Sequence, residues 1–73
     1  MTGTFVRVEV VANGHPVVLP DGATVAALLD RLGLTGRVVV VERNGEPVDR
    51  GSVAQVVLAH GDRCEVVRAV AGG

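Results

Sequence analysis

The sequence has no Lys, no Trp and no Tyr; its seven basic residues are all Arg, and Phe5 is its one aromatic side chain. Single-strand nucleic-acid binding needs stacking rings, and duplex binding needs cations clustered along a phosphate track. Neither is available, because the seven basic residues face eight acidic ones and form no block. No nucleic-acid partner is expected, and no side-chain amine can accept conjugation. A single cysteine, Cys64, excludes an internal disulfide and fits a reducing compartment. Two distant histidines without a Cys pair give no metal-ligand spacing. No glycine loop ending in Lys is present to cradle a nucleotide phosphate, so ATP is not expected on this chain. The apolar runs fall far short of the roughly 20 residues that cross a bilayer. Residues 1–19 lack the basic start and apolar block of a signal peptide, and Met1-Thr2-Gly3 is not a myristoylation start. The expected location is the cytoplasm, with no membrane partner.

What the chain does have is valine, about a quarter of its 73 residues, which favours sheet. One small domain is the most that this length supports, burying about 60% of its unfolded surface and leaving no room for a deep catalytic cleft. Residues 5–12 alternate, with Val6, Val8 and Val10 on one face and Arg7 and Glu9 on the other, as a half-buried strand does. Asn13-Gly14 then signals a tight hairpin, because both residues tolerate positive φ. The return strand, residues 15–19, carries Pro16 and is followed by Pro20, which places it at a sheet edge. Thr24 reads as a helix N-cap, followed by the apolar stripe Val25, Leu28, Leu29 and Leu32, with Gly33 and Leu34 as the stop.

Residues 38–41 form a continuous β-branched run. A second Asn-Gly, Asn44-Gly45, leads into the stub strand Glu46-Pro47-Val48. Residues 51–58 read as a short helical turn with Val53, Val56 and Val57 inward. His60-Gly61-Asp62 is a turn, and residues 63–70 are the last strand. Placing that strand between the first and third, as right-handed crossover geometry allows, gives a mixed sheet of order 2-1-5-3-4 with one main helix on one face. This is the α+β, β-grasp or ubiquitin-like, arrangement, with residues 1–70 as the domain and 71–73 as an Ala-Gly-Gly tail. Alternation from Glu42 and Glu65 sets Val39, Val41, Cys64 and Val66 under the helix. It leaves Val38, Val40 and Val67 on the solvent side as a candidate partner-docking face.

A Gly-Gly pair at this position arises by chance at roughly 0.5%, and behind a β-grasp domain it marks carriers activated at a carboxylate. Val41-Glu42-Arg43-Asn44-Gly45-Glu46-Pro47-Val48, Arg50, Gly61-Asp62-Arg63-Cys64-Glu65-Val66-Val67 and Ala69-Val70-Ala71-Gly72-Gly73 resemble the ThiS family, sulfur carriers of thiamine biosynthesis. The likeness covers essentially the whole chain. It departs at Val53, where family members often carry an aromatic residue. Arg68-Ala69 stands where the molybdopterin-synthase small subunit tends to have prolines.

The resemblance implies a cycle. An adenylating enzyme of the ubiquitin-activating type, using ATP and magnesium, activates the Gly73 carboxylate. A sulfur donor displaces AMP to leave a thiocarboxylate, and thiazole synthase accepts the sulfur. On this reading Ala71, Gly72 and Gly73 thread the partner's channel, and the chain is a co-substrate rather than an enzyme, with no catalytic residue, metal or bound cofactor of its own. The competing readings are a carrier for molybdopterin or cysteine, an interaction module with an inert tail, and a protein modifier. Cys64 reads as a buried hydrophobe, His15 and His60 as solvated loop residues, Asp62 as a turn-shaper and Arg68 as a solvated strand end.

Overall fold

A computed structural model describes residues 7–69. The elements run β1 (Arg7–Ala12), β2 (His15–Pro20), α1 (Val25–Arg31), β3 (Val39–Arg43), β4 (Glu46–Val48), a 3-10 turn (Arg50–Ser52) and β5 (Arg63–Arg68). The five strands form one sheet of order β2-β1-β5-β3-β4, the β-grasp order expected from the sequence. β1 and β5 are parallel, and the other neighbours are antiparallel. Residues 5, 6 and 70, which the strand readings also included, lie outside the described residues, as does the tail 71–73.

Both hairpins close on Asn-Gly. Asn13 and Gly14 have φ of 51° and 81°, and Asn44 and Gly45 have φ of 52° and 84°. Each is a two-residue loop with positive φ at both positions, whose twist matches that of the flanking strands. The pairs Ala12↔His15 and Arg43↔Glu46 close them. β2 lies at the edge, as its prolines require.

The helix begins where the Thr24 hydroxyl accepts from the Ala27 amide at 3.3 Å. The amides of the first turn would otherwise lack partners. Here Val25 N–H donates to Val56 O and Ala26 N–H to Val53 O, both at 2.9 Å. Residues 53–58 therefore cap the helix with their backbone. Leu58 N–H returns to Ala23 O, and Thr24 bridges Val57. At the other end Leu34 N–H bonds Leu29 O and Gly33 N–H bonds Asp30 O, the paired bonds of a Schellman stop with Gly33 at φ 75°.

The core lies between α1 and one sheet face. Val10, Val25, Leu28 and Cys64 have no exposed surface, and Val8, Leu19, Val39, Val41, Leu58 and Val66 are also buried. One expectation fails here. Val57 is 54% exposed, whereas Val56 is half-buried and Leu58 buried. The chain is extended at this point, so successive side chains alternate between core and solvent, where a helical turn would have brought Val57 inward.

β5 outruns its parallel neighbour, which pairs with it only through Val11↔Arg63 and Ala12↔Cys64. The Asn13 side chain takes over where the strand ends. Its Oδ1 accepts from Val66 N–H at 2.7 Å, and its Nδ2 donates to Val66 O at 2.9 Å. One amide side chain thus does the work of a neighbouring peptide unit. The variant Asn13→Gly keeps the turn's positive φ but leaves this partly buried backbone pair unmatched. It should cost about 1–3 kcal/mol, measured by urea unfolding, with the Val66 amide losing hydrogen-exchange protection.

Candidate functional site: the valine face and the root of the tail

The residues expected on the solvent side of the sheet are there. Val38, Val40 and Val67 are 51%, 55% and 62% exposed, while Val39, Val41, Cys64 and Val66 are buried beneath the helix. Strand alternation explains the split, since neighbours along a strand point to opposite faces. Val40 and Val67 stand directly opposite each other across β3 and β5. Ala69 N–H donates to Val38 O at 2.9 Å, so the chain leaves β5 alongside the same valines. The expected partner-channel residues Ala71, Gly72 and Gly73 lie outside the described residues. What is described is their point of departure, at the valine end of the two central strands.

The next pair on this face is Glu42↔Glu65, two exposed carboxylates directly opposite. Like charges so placed repel and weaken a sheet. The face therefore combines solvent-exposed apolar area with an unfavourable charge pair, and neither feature serves the fold of the isolated domain.

Behind this face β5 is locked at its start by Asp62. The Asp62 side chain is 8% exposed and carries a carboxylate with three donors. Arg43 Nε reaches Oδ2 at 2.8 Å, Ala59 N–H reaches Oδ2 at 2.7 Å, and Asn44 Nδ2 reaches Oδ1 at 3.0 Å. Asn44 in turn accepts from Arg63 N–H through Oδ1 at 2.9 Å, while its own backbone N–H meets Arg63 O at 2.7 Å. Burial alone would raise the Asp62 pKa. The hydrogen bonds from Ala59, Asn44 and Arg43, with the Arg43 charge, outweigh it and hold the pKa below the usual carboxylate value. The turn-shaping role expected for Asp62 is present in the Ala59 bond. The links to Arg43 and Asn44 were not foreseen, because nothing local in the sequence says which residues fold back to meet it.

Cys64 is fully buried. Burial pushes its thiol pKa up, and the Asp62 carboxylate adds to this. A thiol held protonated and out of solvent is a poor nucleophile, consistent with a packing role. His60 is exposed in its turn, as expected; its Nδ1 also accepts from Glu9 N–H at 3.1 Å, which ties the turn to β1. Arg68 is exposed at the strand end, as expected. Among the described residues no cluster of His, Cys, Asp and Glu could hold a metal ion, and no helix is long and apolar enough to cross a membrane.

A small β-grasp domain that sets an apolar sheet face beside the root of its C-terminal segment belongs to the class of ubiquitin-like proteins. Comparison with known proteins narrows this. The model of the ThiS family matches residues 6–73, and the chain belongs to that family. Its fold is similar to the crystal structure of the thiamine biosynthesis protein ThiS from Geobacter metallireducens. The TM-score is 0.69 at 32% identity, over 89% of this chain and 99% of that one. Two curated relatives are thiazole synthases. That of Paramagnetospirillum magneticum is 43% identical over 65 residues, covering 89% of this chain and 20% of that protein. That of Magnetococcus marinus is 43% identical over 61 residues, covering 84% of this chain and 19% of that protein. The chain thus spans about a fifth of the length of these two relatives.

The Asp62 network predicts a specific acid response. Because the folded pKa is depressed, its contribution is complete above the unfolded value of about 3.9 and is lost as pH falls through the folded value. Asp62→Asn should lower stability at neutral pH and flatten the loss of stability below about pH 4, measured by chemical denaturation across pH.

Proposed function

We propose that this chain is a sulfur carrier of thiamine biosynthesis, a protein co-substrate whose reacting group is the carboxylate of Gly73. The observation that carries this reading is the ThiS match over residues 6–73, which runs through the Gly72-Gly73 pair. In the proposed cycle a carboxylate oxygen of Gly73 attacks the α-phosphorus of ATP, and pyrophosphate leaves. This step takes place on an adenylating enzyme of the ubiquitin-activating type, which supplies the ATP and magnesium. A donor delivering sulfide-level sulfur, HS⁻, then supplies the nucleophile: its sulfur attacks the acyl carbon, AMP departs with the bonding pair, and the S–H proton is lost to leave a thiocarboxylate. Thiazole synthase accepts that sulfur. The thiazole-synthase relatives support this last partner, since each contains a stretch like this chain. A cycle that runs on ATP is compatible with the cytoplasm.

The chain's own contribution is physical. Glycine has no Cβ to obstruct attack at the acyl carbon, and two glycines make a thin segment that a narrow channel can admit. Ordering such a segment costs about 1–2 kcal/mol per residue. A docking face on the rigid domain offsets that cost by binding before the tail is threaded. Val38, Val40 and Val67 are that face in this reading, exposed and adjacent to the point where the tail departs.

Two measurements test this. Fragment-ion mass spectrometry of the protein from its own host should locate one sulfur-for-oxygen exchange on Gly73, distinct from oxidation of Met1 or Cys64. Deleting Gly73 should abolish the exchange while leaving the fold intact. A carboxylate that stays unmodified after incubation with ATP, magnesium, a sulfur donor and the host's adenylating enzyme overturns the carrier reading. For the docking face, Val40→Arg with Val67→Arg should reduce kcat/KM for adenylation by about tenfold or more. Unfolding free energy should change by no more than about 0.5 kcal/mol, since both sites are exposed. Unchanged adenylation kinetics would remove the valines from the interface.

A further inference from the structure

On the opposite side of the sheet, between α1, β3 and β4, lies an open cleft of about 240 Å³. Its apolar lining includes Leu29, Val41, Val48 and Val53, and Arg37 and Arg50 also border it. Both arginines are exposed, and among the described residues neither guanidinium has a carboxylate partner. The cleft is smaller than the roughly 300–1,000 Å³ typical of small-molecule pockets. It matches one or two apolar side chains. Two cations bordering an apolar lining favour a ligand that joins an apolar group to carboxylates.

We propose that this cleft is a second docking site, which takes an acidic protein segment whose carboxylates neighbour an apolar side chain. Val39 also lines the cleft, and it pairs with Arg68, immediately before the residue through which the chain leaves β5. A partner seated there approaches the root of the tail from the helix side, while the valine face is approached from the other. The two sites differ in chemistry as well as position. The valine face carries the carboxylate pair Glu42 and Glu65, and the cleft carries the guanidinium pair Arg37 and Arg50. One partner surface cannot satisfy both, so the two sites select different partner surfaces.

The test is an amide-shift NMR titration of the full chain with the blocked peptide Asp-Glu-Leu-Glu-Asp. Its controls are the charge-reversed peptide Lys-Lys-Leu-Lys-Lys and the anchorless peptide Asp-Glu-Gly-Glu-Asp. The acidic peptide with Leu should give saturable shifts at Leu29, Val48 and Val53. Arg37→Glu with Arg50→Glu should weaken it by about tenfold or more, and both control peptides should be similarly weak. Val53→Trp, which fills the cleft, should also block it; the two arginine substitutions are at exposed positions and keep the test decisive if the Trp variant misfolds. No saturable shift at these residues overturns the proposal, as do equal binding of the lysine peptide or shifts confined to Val40 and Val67. None of these outcomes touches the carrier reading, which the mass of Gly73 tests separately.

Discussion

A buried carboxylate, Asp62, holds the sheet in the form that its surfaces require. Asp62 sits just before the central strand and gathers an arginine from β3, an asparagine from the β3–β4 turn and the backbone of the loop that leads into β5. A buried charge without partners would be expensive, whereas one with three donors is held ionised. Because Asn44 also takes the amide of Arg63, the register between β3 and β5 is pinned where β5 begins. That register places Val40 opposite Val67, and Val39, Val41, Cys64 and Val66 under the helix. A slip of one residue would exchange the two sets.

The two Asn-Gly turns flank β5 and both reach it through the asparagine side chain. Asn44 secures its start and Asn13 its later half, at Val66. The asparagines tolerate positive φ, which forms the hairpins, and carry an amide; that of Asn13 continues the ladder where β5 extends past the end of β1. Asp-Gly would satisfy the turn but could not both donate and accept at Val66. The central strand is thus hydrogen-bonded on both sides as far as Val66, and in the proposed function such a base lets domain docking direct a thin segment into a partner.

Much of this was legible along the chain. The alternation of residues 7–12, the β-branched run before Glu42, the Thr24 cap and the Gly33 stop each rest on neighbours within a few residues. So does the division of the valines into buried and exposed sets, because strand parity needs only the sequence and one anchor. The reading failed at Val57, where no local pattern shows that Val53 and Val56 give their carbonyls to the first turn of α1. It was incomplete at His60, whose partner Glu9 is 51 residues away. The cleft beside Arg37 and Arg50 was not foreseen at all, since it exists only where α1, β3 and β4 fail to close on one another.

The sequence by itself determined the elements, their order in the sheet and the family, because periodicity, turn chemistry and motif spacing are properties of consecutive residues. The tertiary structure alone decided which polar side chains became fixtures of the core and which cations have no carboxylate partner among the described residues. Asn13 and Val66 are 53 residues apart, and Asn44 and Asp62 are 18 apart. Hydrogen bonds over such separations depend on where the folded strands bring each group, and a short polar side chain looks the same in sequence whether it meets water or a backbone amide.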